Sequence, residues 1–231
     1  MNGQIRQDWT SRSTPDRDKI PVYGRCSGNM LNIGVLASHQ GTNFQAIVDA
    51  CAARRLNARV TLLICNNANA PVLTRAERAN VPFIRLSSVT HPDPAQLDTA
   101  ICDALGAAEA DLVILAGYMK KLGPKVLNAF ENRIINVHPS LLPRFGGQGF
   151  YGSRVHEAVL AAGDTTTGAS VHLVTAGYDE GAVLLQQEIP VSPEDTADSL
   201  AARLHPIEHE LLIQATEQFA REKHHDKTHT T

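Results

Sequence analysis

The sequence predicts an α/β fold: an open, mostly parallel, twisted sheet with helices on both faces, its last strands partly antiparallel. Three observations predict it. Short apolar runs alternate with stretches of helical spacing from Leu31 to His138. Some of these runs, Asp111–Ala116 (DLVILA) above all, are apolar on both sides, as strands at the centre of a parallel sheet must be. The rhythm then changes to two strands joined by a short Gly-containing turn, Ala176–Gly181.

Taken in order, Leu31–Ser38 (LNIGVLAS) is the first strand, and Asn43–Ala53 a helix with Phe44, Ile47, Val48 and Cys51 at helical spacing. Val60–Cys65 is a buried strand, Pro71–Ala79 a helix opened by proline, and Pro82–Leu86 a short strand. Ala95–Ala107 is a helix, Asp111–Ala116 a strand and Pro124–Phe130 a short helix. Ile134–His138 is a strand stopped by Pro139. Ser153–Ala162 is a helix, Gly168–Thr175 and Ala182–Ile189 are strands, and Thr196–Glu222 is a closing helix interrupted near Pro206. Residues 1–30 are polar without apolar period and read as an extension to a domain spanning 31–221. Residues 222–231 form a charged tail with His224, His225 and His229, read as a solvated end in preference to a metal site.

Composition narrows the function. Of 231 residues, 43% are apolar and 19% charged, so the chain can bury a core, and its length suits one domain. The net charge of −3 shows no basic excess for phosphate backbones, which argues against a nucleic-acid partner. No apolar run is long enough to span a bilayer. Cys26, Cys51, Cys65 and Cys102 lack metal-ligand spacing and read as free thiols in a reducing cytoplasm.

Ligands of open α/β sheets bind beyond the C-terminal strand ends. Three such ends are polar here. Ser38–Asn43 places Gly41, Thr42 and Asn43 at a helix start, where backbone N–H groups favour an anion; by itself it reads first as an ordinary cap. Gly117 follows a buried strand and leads into Met119, Lys120, Lys121 and Leu122. Asn136 and His138 lie two apart on a strand and so share a face, while Val137 points into packing. An amide donor can meet an oxygen that gains charge, and an imidazole can move a proton near neutral pH. Together they suit acyl-type transfer to an amine. Asp179 sits in the later turn, where spacing alone makes it a turn-forming residue. His172, among apolar neighbours, reads as a structural histidine.

These stretches resemble the folate-dependent phosphoribosylglycinamide formyltransferases. The resemblance rests on Asn32–Ser38, Gly41–Ile47 (GTNFQAI), Leu115–Met119 (LAGYM), Ile135–Pro143 (INVHPSLLP) and Gly168–His172 (GASVH), and covers Leu31 to Phe219. It implies formyl transfer from 10-formyltetrahydrofolate, as co-substrate and without metal, to the amine of glycinamide ribonucleotide, a purine-biosynthesis step. It implies Asn136, His138 and Asp179 as the catalytic set, with Asn136 polarising the formyl oxygen and Asp179 partnering His138. It implies Gly41, Thr42, Asn43 and Glu208 on the phosphoribosylglycinamide side. Met119, Lys120, Lys121, Leu122 and Asn136 fall on the folate side. The expected partners are these small molecules, with no nucleic acid and no membrane, in a cytoplasmic monomer or homodimer.

The sequence departs from the pattern in three places. His91–Pro94 carries no arginine for the folate tail, the turn reads Asp179-Glu180-Gly181, and the loop Arg144–Gly152 is long and Gly-rich, as a mobile lid would be. Among rivals, a formyltetrahydrofolate hydrolase usually carries a larger N-terminal domain than residues 1–30 supply. A methionyl-tRNA formyltransferase needs a further C-terminal domain and a basic surface. A dinucleotide-binding protein would want Gly-x-Gly-x-x-Gly, and a binding module would not need Asn136, His138 and Asp179 together.

Overall fold

The first strand, β1 (Leu31–Ala37), is buried along its whole length. The computed structural model describes residues 30–228, with side chains through 223, so the expected extension, Cys26 and His229 lie outside the described residues. Leu31, Ile33, Val35 and Ala37 enter one core layer. Leu36 enters the other. This two-sided burial is why β1 reads as a continuous apolar run.

The remaining elements follow as α1 (Thr42–Ala52), β2 (Ala58–Cys65), α2 (Pro71–Arg78), β3 (Phe83–Arg85), α3 (Pro94–Ala107), β4 (Leu112–Leu115) and α4 (Pro124–Ala129). After them come β5 (Ile134–His138), α5 (Ser153–Ala161), β6 (Thr166–Leu173), β7 (Val183–Pro190) and α6 (Ala197–Thr228). One seven-stranded sheet has the order β3-β2-β1-β4-β5-β6-β7. The pairs from β3 to β5 are parallel. The β5–β6 and β6–β7 pairs are antiparallel. The strand order turns back between β1 and β4, so the chains leaving these two strands part and open a crevice there. α1, α2 and α6 bury Phe44, Ile47, Val72, Leu212 and Ala215 on one side of the sheet. α3 and α4 bury Ile101, Leu105 and Val126 on the other.

The expected break near Pro206 does not occur: α6 is one helix of 32 residues with Pro206 inside it, and it runs to Thr228, beyond the expected end at Glu222. An interior proline costs roughly 3 kcal/mol through its lost N–H bond and its clash with the preceding turn. Leu200 and Leu204 before it, and Leu211 and Leu212 after it, are all buried. Each such side chain contributes about 1.5–3 kcal/mol, so their sum outweighs the proline.

Candidate active site

β5 brings Asn136 and His138 to the C-terminal edge of the sheet, with Val137 turned into the core. β6 runs alongside in register, pairing Asn136 with His172 and His138 with Ser170. Asp179 comes from the β6–β7 turn, in the left-handed region with φ of 57°. The turn folds the carboxylate back between the two strands. Its Oδ2 lies 3.6 Å from His138 Nδ1. Its Oδ1 lies 3.4 Å from His172 Nε2.

These groups are shielded from water. His138 is 4% exposed and His172 2%. His138 Nε2–H donates to the carbonyl of Phe145 at 2.8 Å. Gly147 N–H donates to Asp179 Oδ2 at 3.0 Å. The Gly-rich loop after Pro143 therefore lies over the site and touches both the histidine and the carboxylate. Burial pushes the His138 imidazole below the ordinary histidine value; Asp179 and the Phe145 carbonyl oppose this without overcoming it. Burial would raise the Asp179 carboxyl, but the His172 ring at its Oδ1, His138 at its Oδ2 and the Gly147 amide together hold it below the usual carboxylate value. The shifts agree with a carboxylate that stays charged beside an imidazole that is neutral near pH 7.

A buried polar lattice supports the β5 end. Ser170 Oγ donates to the Ser140 carbonyl at 2.6 Å and accepts from Leu142 N–H at 3.1 Å. Gln186 Nε2 from β7 donates to the same Oγ at 2.7 Å. A cavity of about 450 Å³ adjoins Asp179, lined by Leu142, Pro143, Gly146, Gly147, Tyr178 and Val183 among others.

The folate-side segment lies on the neighbouring strand end, since Leu115 of β4 pairs with Asn136. Met119 N–H donates to Ser38 Oγ at 2.9 Å, which ties this segment to the end of β1. Met119 is exposed. Lys120 and Lys121 are exposed too. Lys121 Nζ stands 5.1 Å from the centre of the Tyr178 ring, bridging this segment to the Asp179 turn. Leu122 is buried in the core.

The loop into α1 turns on a glycine. Gly41 takes the N-cap position with φ of 71°, and no side chain caps the helix. A Cβ at Gly41 would come within 2.3 Å of Val72 Cγ2, so the loop packs against α2 only as glycine. The first N–H groups of α1 thus lack a side-chain acceptor. Asn43 Nδ2 donates to Glu208 Oε2 at 3.2 Å, which joins α1 to α6 across the molecule. Glu208 is 7% exposed. Burial raises its carboxyl above the usual value, against the opposing effects of Asn43 and His205.

The structure thus gathers Asn136, His138 and Asp179, and separately Gly41, Asn43 and Glu208. Sequence reading missed His172, which touches both Asn136 and Asp179, and the Phe145 carbonyl. For His172 a signal existed, since it lies on the strand that leads into the Asp179 turn. For a carbonyl oxygen no side-chain signal can exist.

The formyl transferase family matches residues 31–216. The phosphoribosylglycinamide formyltransferase of Haemophilus influenzae is 38% identical over 79% of this chain and 84% of that protein. The crystal structure of glycinamide ribonucleotide transformylase 1 from Symbiobacterium toebii superposes with a TM-score of 0.80 at 41% identity, covering 85% of this chain and 90% of that one. A formyltetrahydrofolate deformylase from Pseudomonas syringae, 21% identical with a TM-score of 0.75 over 85% of this chain and 63% of that one, shares the fold. The chain belongs to the formyl transferase family and, within it, to the phosphoribosylglycinamide formyltransferases.

Proposed function

We propose that this chain transfers the formyl group of 10-formyltetrahydrofolate to the amine of phosphoribosylglycinamide, with Asn136, His138 and Asp179 as its catalytic set. The observation that carries the reading is the meeting of Asn136, His138 and Asp179 at one sheet edge. Gly41, Thr42 and Asn43 offer backbone donors for the substrate phosphate, and Glu208 an acceptor behind Asn43. Met119 to Leu122, the Tyr178 ring and the cavity beside Asp179 suit the folate.

The chemistry runs through a tetrahedral intermediate. The amine nitrogen attacks the formyl carbon, and the carbonyl π electrons move onto oxygen. An Asn136 N–H meets that charge, together with the imidazole proton of His138 once the Phe145 carbonyl withdraws. The C–N bond to folate then breaks. A proton leaves the attacking nitrogen and reaches the departing folate nitrogen by way of His138. Asp179 orients the imidazole and stabilises its charged form.

Release of tetrahydrofolate, followed by absorbance, should depend on added amine. Release at the same rate without amine would assign a hydrolase instead and sink the transferase reading. Removing one such donor typically costs about 3–4 kcal/mol of barrier, so Asn136→Ala should lose about 100-fold or more in kcat. His138→Ala and Asp179→Asn should each lose most turnover while keeping the wild-type circular dichroism, and near-normal turnover in either would refute its role.

A further inference from the structure

His172 takes no part in the steps above, yet it contacts two residues that do. Its Nδ1 lies 2.8 Å from the Leu173 carbonyl, which can only accept, so Nδ1 carries the proton. A neutral imidazole protonated there has a lone pair on Nε2. Asn136 Nδ2 donates to that lone pair at 3.1 Å. Asp179 Oδ1 lies farther away, at 3.4 Å.

The arrangement matters because an amide has two ends of similar size and opposite polarity. Turned over, Asn136 would press its oxygen against the Nε2 lone pair. We propose that His172, neutral and protonated on Nδ1, is a positioning residue that fixes the Asn136 amide with its NH₂ end toward the reaction centre. One N–H is held by His172, and the other is left for the formyl oxygen. The inference rests on the formyl-transfer reading. It has a second consequence: a neutral His172 leaves the Asp179 charge to His138 alone. A proton on Nε2 would break both arrangements at once. Such a histidine must sit opposite Asn136 and be sealed from water. The β5–β6 register and its 2% exposure provide both.

The test is a double-mutant cycle with Asn136. His172→Leu should lower kcat about 100-fold with both KM values within about threefold, because it frees the donor that meets developing charge. His172→Gln, whose Oε1 can accept the Asn136 N–H, should recover about tenfold of that loss. On an Asn136→Ala background, His172→Leu should cost less than about threefold, since nothing remains for it to orient. Equal cost on both backgrounds would mark a merely structural histidine and overturn the proposal, as would a glutamine no better than leucine. Should the leucine variant fail to fold, the glutamine variant carries the cycle. Two-bond proton–nitrogen correlation spectra of histidine-labelled wild-type protein at neutral pH supply an arm independent of activity. They should show His172 protonated on Nδ1 alone, and an Nε2 proton would overturn the proposal. Wild-type protein without amine-dependent transfer would sink the transferase reading, and the spectra would still decide the state of His172.

Discussion

Glu208 joins two demands that conflict. Its carboxyl is buried and held above its ordinary value, so the folded state is unfavourable to its charged form. A raised acid contributes stability below its unfolded value that is lost as pH rises through the folded one. Glu208→Gln keeps an acceptor for Asn43 without the buried charge, and should therefore raise Tm at neutral pH. A lower Tm for the glutamine variant would show that the charge is stabilised in place. Residues of this kind were partly legible in the sequence. Asn136 and His138 could be paired because strand side chains repeat every two residues. Asp179 could not be placed from spacing, because a turn of the chain sets where its carboxylate goes. His172 looked structural because its neighbours are apolar, and those same neighbours seal the polar cluster it belongs to.

Among elements, α4 depends on a contact that no local pattern announces. Asp98 of α3 accepts from Lys125 N–H at 2.7 Å and from Val126 N–H at 3.2 Å, and so caps a helix that begins in a different loop. Gly123 makes room for it: a Cβ there would lie 2.2 Å from Asp98 Cγ. Asp98→Ala should cost about 1–3 kcal/mol by leaving buried donors unpaired. That corresponds to about 2–4 °C of Tm per kcal/mol for a chain of this size. Gly123→Ala should cost a similar amount by expelling the carboxylate. Thermal denaturation of both variants and the double variant decides this, and additive losses would mean the two residues act separately. The helices and strands themselves were largely legible from apolar period. Pro206 misled, because proline announces a local break and the buried leucines on either side are a tertiary effect.

For the whole molecule, charge and burial combine into a pH dependence. Burial lowers His138, His156 and His209 below the ordinary value of 6.5. As pH falls through 6.5 the unfolded chain takes up protons that the folded chain refuses, so stability is full above that value and declines below it. Tm should fall between pH 7.5 and pH 5.5, and His138→Gln should shrink the fall. A Tm that holds or rises across this range would contradict the direction of all three shifts. The sheet order was legible only as a class, because crossing from β1 to β4 is decided by packing on two faces at once. No described helix is long and apolar enough to cross a membrane.

The hydrogen bond from Asn43 to Glu208 closes a gap of 165 positions in the chain. During synthesis the turn at Gly41 is made early, and the buried partner of Asn43 arrives only with α6. A nascent chain that has folded β1 to β5 therefore has both strand ends in place and still lacks an acceptor behind Asn43. The acceptor behind Asn43 is supplied by α6 alone, so a chain cut before α6 leaves that amide without Glu208.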